Sequence, residues 1–231
     1  MNKTQLNTTE PVYHKLHRVL FAACILLTPL ALSAWFGLCP QYGDPACPTN
    51  ANPLAAIIAF RAANPVLMQV FLFLNLVVPY LFPLSYLGLG LLAMKRSPWL
   101  ATIGIACGWV GSIPWGFIAD QSFTLNGMAR LSHDAVFATL EKVYFSNWEI
   151  LAIAGGWVIG HLLGYVLLGI ALARARVVPL WAACLIVFSA PLMGPIAYGT
   201  RNGTLQVLGY VLVFLGSIPA AIAMLKGKHD I

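Results

Sequence analysis

His161 is the only histidine inside the long apolar stretches of this chain, with Trp157 four residues before it and Tyr165 four residues after it. On a helix these three share one face. An imidazole there could move a proton, hold a ligand, or hydrogen-bond a neighbouring helix as a neutral structural group. An ionisable group at membrane depth is a functional candidate by default. A second set is acidic: Asp120 and Glu149 bracket a stretch that also holds His133, Asp134 and Glu141. Carboxylates beside a histidine suit general acid–base chemistry if they converge on one substrate. The plainer reading is a hydrated loop whose acids meet Arg61, Arg130, Lys142 or Arg201, because exposed ion pairs are common and contribute little. Asn75, Gln69 and Gln206 add polar positions in or near apolar stretches, where such side chains most often bond between helices.

No cofactor is expected. No second histidine shares the depth of His161, which argues against a bis-histidine haem, and no Cys or His spacing suggests a zinc site. His14 and His17 lie beside Lys15 and Arg18 and read as a solvated basic collar. There is no phosphate-binding glycine loop, no His-Glu-x-x-His, no Gly-x-Ser-x-Gly and no dinucleotide fingerprint.

The elements that must position these residues follow from composition. Of 231 residues, 60% are hydrophobic and 9% charged, against roughly 45–50% and about 25% in soluble domains. That balance excludes a soluble globular fold and a disordered chain alike. The net charge of +6 comes from Lys and Arg scattered between apolar segments, without the basic run or stripe that nucleic-acid binding needs. The expected partners are the lipid bilayer and a small or lipophilic ligand.

A spanning helix needs about 20 predominantly apolar residues. Six stretches free of charge satisfy this, near 19–38, 66–93, 99–119, 150–173, 178–198 and 204–225. Alternating ten-residue strands are missing, so the sequence predicts an all-α integral membrane protein, a single domain over 1–231 built as a six-helix transmembrane bundle. The first stretch could be read as a signal peptide, but its apolar run exceeds the 7–15 residues of a signal core.

Basic residues set the orientation. With the N-terminus inside, Lys3, Lys15, Arg18, Lys95, Arg96, Arg174, Arg176, Lys226 and Lys228 lie in the cytoplasm, nine against four outside. Both termini are therefore expected in the cytoplasm of a plasma membrane of the bacterial inner-membrane type. Cys39 and Cys47 flank a Pro- and Gly-containing loop on the outer side, where an oxidising compartment would let them pair. Cys24, Cys107 and Cys184 read as buried small hydrophobes. Two short outer helices are expected. One follows Asn52-Pro53, with Pro at its first position; the other carries Val136, Phe137, Leu140, Val143 and Tyr144 on one amphipathic face.

Gly156, Gly160 and Gly164 form a ridge at i+4 spacing. It would let another helix approach closely, within the chain or across an oligomer interface. Gly111-Ser112-Ile113-Pro114 recurs as Gly216-Ser217-Ile218-Pro219, and Pro79/Pro83 in the second stretch is matched by Pro191/Pro195 in the fifth. Kinked helices at matching positions of two inverted halves point to a midplane site in transporters, while Pro and Gly are also simply common in membrane helices.

Three functions are consistent with these features. The first is binding or transport of a small or lipophilic ligand within the bundle, with His161, Trp157, Tyr165, Asn75, Asp120 and Glu149 as site residues. The second is a membrane-embedded enzyme doing acid–base chemistry on a lipid or isoprenoid. The third is an accessory subunit of a membrane complex.

Overall fold

The computed structural model describes residues 12–38, 60–131, 148–200 and 202–227. Among them the chain is all-helical. The helices are α1 (Val12–Leu38), α2 (Pro65–Ala93), α3 (Pro98–Ser112), α4 (Trp115–Leu131), α5 (Trp148–Ala175), α6 (Leu180–Pro191) and α7 (Gly203–Leu225), with a π-helical turn Leu192–Ile196 and a short helix Ala197–Thr200 following α6. By length and composition five helical stretches can cross a membrane: Tyr13–Leu38, Pro65–Ala93, Pro98–Thr124, Gly155–Ala175 and Gly203–Leu225. The fifth expected stretch is helical too, but as a shorter apolar helix, Leu180–Ile196, whose last turn is the π segment.

Proline and asparagine set several boundaries. Pro65 and Pro98 open α2 and α3 as first-turn residues, where the missing N–H is an orphan in any case. Asn202 caps α7, its side-chain oxygen accepting from the Thr204 N–H at 3.0 Å. The third expected stretch, 99–119, departs most from the structure. It breaks at Ile113-Pro114 and then continues helical through Asp120 to Leu131. The loss of apolar character at Asp120 ends a hydrophobic run, but no residue between 120 and 131 obliges the backbone to leave the helix. α1 likewise starts at Val12, about two turns earlier than its apolar run. The cysteines 39 and 47, the helix expected after Pro53 and the amphipathic face 136–144 lie outside the described residues.

The helices form a closed circle. α1 packs on α2 and α7, α2 on α3, α3 on α5, α5 on α6, and α6 on α7, with α2 also touching α4 and α5 from within. Two contacts fix which ends are level. Arg96 Nη1 donates to the Ala175 carbonyl at 3.1 Å, and a Cβ on Gly227, whose φ is +67°, would stand 2.6 Å from the Arg18 guanidinium. Gly88 on α2, against Phe21 and Ile25 of α1, ties the two pairs together, so Arg18, Lys95, Arg96, Arg174, Arg176 and Lys226 lie toward one end of the bundle. Leu16, Val70, Phe73, Trp99, Val110, Leu180, Trp181 and Phe188 are among many exposed apolar side chains, the surface that lipid covers.

Candidate functional site

α5 carries the centre of the site. His161 stands thirteen residues after Trp148 and fourteen before Ala175, about 20 Å from either end at 1.5 Å per residue. It is buried, as are Trp157 and Tyr165 on the same face. α5 is brought against α3 by the glycine ridge. A Cβ on Gly160 would lie 2.6 Å from the Gly111 Cα, and one on Gly164 would lie 2.9 Å from the Gly108 Cα. The close approach the ridge allows is thus made inside the chain. Gly156, one turn nearer Trp148, is exposed and would meet only Pro114, at 4.0 Å.

The imidazole is held on two sides. Its Nδ1 lies 2.6 Å from the Trp157 carbonyl. A carbonyl can only accept, so Nδ1 carries the proton, and in the neutral ring Nε2 is left as an acceptor. The Tyr210 hydroxyl on α7 faces that nitrogen at 3.4 Å. The main-chain carbonyl of His161 accepts from the Tyr86 hydroxyl on α2 at 3.0 Å. Three helices thereby fix one residue.

Around His161 the aromatic side chains close a circuit. Trp157 stacks on the imidazole with centroids 4.1 Å apart, Trp115 lies 4.7 Å from Trp157, and Trp35 lies 5.0 Å from Trp115. The circuit returns through Phe36 at 4.7 Å from Trp35, Tyr210 at 5.4 Å from Phe36, and the His161 ring at 6.5 Å from Tyr210. Phe82 meets Trp157 and His161 edge-on. α1, α4, α5 and α7 each contribute to the circuit, so it depends on how four helices meet rather than on one amphipathic face.

Two interruptions of helical structure border this region. The break at Ile113-Pro114 turns Trp115 into the circuit. The π turn at Leu192–Ile196 contains Pro195, which has no N–H to give, and Ala197 bonds back to the Leu192 carbonyl instead. The side chain of Gln206, buried on α7, donates from Nε2 to the Met193 carbonyl at 2.7 Å, supplying a side-chain donor at the interruption. The two repeated motifs do not share a backbone form. Gly111–Pro114 breaks its helix while Pro219 lies within α7, and Pro79/Pro83 lie within α2 while Pro191 precedes the π turn and Pro195 lies in it.

Of the residues singled out from sequence, the structure brings His161, Trp157 and Tyr165 together and buries Asn75 on the inward stripe of α2 with Phe71, Val78, Phe82 and Tyr86. Asp120 is exposed on α4. Glu149 belongs to the first turn of α5, and His133, Asp134 and Glu141 lie outside the described residues. Among the described residues no three His, Cys, Asp or Glu side chains stand close enough together to hold a metal ion.

Sequence reasoning missed Trp35, Phe36, Tyr86, Trp115 and Tyr210. The inward stripe of α2 was readable as Phe71, Asn75, Phe82 and Tyr86 at helical spacing; the partners from other helices were not. It also set Arg61 in a hydrated loop, whereas Arg61 is 2% exposed. Its Nη1 donates to the Ser122 carbonyl at 2.7 Å, and the guanidinium lies 5.2 Å from the Phe71 centroid. The available signal was a lone arginine in an apolar run followed by Asn64-Pro65. No protein-family model, no curated protein and no solved structure matches this chain, so the site stands on its own geometry.

Proposed function

We propose that the chain is a six-span membrane protein, both termini cytoplasmic in a plasma membrane of the bacterial type, that binds a small lipophilic ligand in the half of the bundle above His161. Transport of that ligand is the fuller form of the reading. The gathering of Arg18, Lys95, Arg96, Arg174, Arg176 and Lys226 at one end supports the orientation, since basic residues are retained on the cytoplasmic side. One observation carries the functional reading: a buried histidine at mid-helix, oriented through both ring nitrogens and enclosed by tryptophan, tyrosine and phenylalanine rings from three helices. Apolar pockets lined by aromatic rings with a few fixed polar groups are what lipophilic ligands bind.

Dialysis of the flat hydrocarbon fluorene against lipid nanodiscs, with and without the full chain, tests this. Saturable uptake that depends on the protein is expected, weakened about tenfold by Trp157→Ala, in line with the loss of one stacking contact. Uptake equal to that of empty nanodiscs would overturn the reading.

A further inference from the structure

Two donors in the aromatic circuit are unused. Trp35 and Trp115 have their rings 5.0 Å apart, both are buried, and among the described residues neither Nε1–H has a hydrogen-bond partner. An indole N–H is a donor only, and when buried it ordinarily finds an acceptor. A third unused group lies on the neighbouring stripe of α2. Asn75 donates from Nδ2 to the Phe71 carbonyl at 3.1 Å, which fixes the amide and leaves Oδ1 buried without a partner. Asn75 sits one turn from Phe71, which stacks on Trp35 at 5.1 Å, and two turns from Phe82, 6.4 Å from Trp115.

The same region is open on one side. Below it, α3 and α5 meet backbone to backbone at Gly111 and Gly160. Above the break, a Cβ at Gly116, next to Trp115, or at Gly155, near Trp157, would have nothing of the described residues within 4 Å. Gly116 and Gly156 are exposed on this side of the bundle.

Resting on the lipophilic-ligand reading, we propose that this region takes a flat, uncharged molecule carrying a carbonyl oxygen, entering from the bilayer beside Gly116 and Gly156. The oxygen accepts from the Nε1–H of Trp115 or Trp35, and the flat body lies against the edge of the circuit on the Gly116 side, not between its rings, which already touch one another. The complement is chosen by chemistry. The two unused donors call for an acceptor, and the surrounding π faces call for a planar apolar body. The one charged group beside the region, the Arg61 guanidinium, already bonds the Ser122 carbonyl and lies over Phe71; the two unused donors are uncharged, and an uncharged acceptor meets them without giving up an ion's hydration.

The test compares fluorene, 9-fluorenone and fluorene-9-carboxylate on the full chain in nanodiscs. The first two differ only by a carbonyl. 9-Fluorenone is expected to bind about tenfold more tightly than fluorene, the worth of one hydrogen bond to a donor otherwise unmet. That ratio should fall toward one in Trp115→Phe or in Trp35→Phe; two variants guard against one failing to fold. Equal, saturable binding of fluorene and fluorenone overturns this inference while leaving the lipophilic-ligand reading intact. Tightest binding of the carboxylate also overturns it and points to an anion drawn toward Arg61. If no probe binds above empty nanodiscs, the underlying reading falls with it.

Discussion

Replacing Gly160 by alanine should separate the ridge into parts that matter and parts that do not. The new methyl would stand 2.6 Å from the Gly111 Cα, 2.8 Å from the Gly111 nitrogen and 3.0 Å from the Cys107 carbonyl oxygen. All three are backbone atoms, so no rotamer change relieves the clash, and carbon atoms settle at about 3.5–4.0 Å. α3 and α5 must therefore part by about 1 Å. Overpacking of that kind costs about 1–3 kcal/mol, or a fall of about 4–8 °C in melting temperature at roughly 2 kcal/mol for a chain of this size. Parting the helices also pulls His161 from the Tyr86 hydroxyl, which holds its carbonyl at 3.0 Å. Gly164→Ala meets the Gly108 Cα at 2.9 Å and should behave alike. Gly156→Ala meets only Pro114 Cγ at 4.0 Å and should leave the melting temperature within about 2 °C of wild type, as surface changes usually do. The assay is thermal unfolding of the detergent-solubilised full chain followed by size-exclusion chromatography. A Gly156→Ala loss equal to that of Gly160→Ala would refute the packing described, because the ridge would then be meeting something other than α3.

Three further outcomes follow from particular contacts. Gln206→Leu leaves the Met193 carbonyl without its side-chain donor and should destabilise the chain by about 1–3 kcal/mol, read in the same unfolding assay; an unchanged melting temperature would mean that the π turn satisfies itself. Arg61→Met removes the bond to the Ser122 carbonyl and the contact over Phe71 while keeping apolar volume. A loss of about 1–3 kcal/mol is expected, and Arg61→Lys should recover only part of it, because an ammonium lacks the flat fork. Single cysteines introduced at Lys95, Arg176 and Lys226 in a cysteine-free background should all be labelled by a membrane-impermeant maleimide from the same face of inverted vesicles. Labelling of Lys95 and Arg176 from opposite faces would contradict the circle of helices, since Arg96 touches Ala175.

Much of the scaffold was legible because it rests on composition. A charge-free run of twenty residues has few alternatives to a helix in lipid, and the basic residues between such runs mark which ends belong together; Arg18, Lys95, Arg96, Arg174, Arg176 and Lys226 do meet at one end. Helix ends were less legible. The apolar run ends at Ala119, but a helix ends where backbone bonds end, so α4 continues past Asp120 to Leu131. Local periodicity could place Trp157, His161 and Tyr165 on one face, since i and i+4 need no tertiary information. It could not place Trp35, Trp115 or Tyr210 there. Those residues reach His161 only through the order in which helices neighbour one another, and no spacing within a helix encodes that order. Arg61 shows the opposite error: its charge argued for water, while its guanidinium found a carbonyl and a ring.

The repeated motifs sharpen what spacing can and cannot tell. Gly-Ser-Ile-Pro breaks the backbone at its first occurrence and lies inside a helix at its second, and the proline pairs do the reverse. A proline removes one donor wherever it occurs, but whether the helix opens depends on what else can satisfy the freed carbonyl and on what presses against it. At the first break, Gly111 lies against the Gly160–His161 backbone; at the π turn, Gly194 lies against Leu162 and Gln206 donates to Met193. The first break itself lies one turn further along, where Pro114 meets Gly156, and the π turn lies against Leu162, so the two interruptions bracket His161 on α5, although they do not share a motif. A helix that opens where it faces a buried polar residue exchanges backbone regularity for side-chain placement. Here that exchange brings Trp115 in from one side and seats Gly209, beside Tyr210, against Met193 on the other. The feature common to both halves is thus the depth of His161, and it is the position of the breaks, more than the letters that mark them, that ties the proposed ligand site to the architecture.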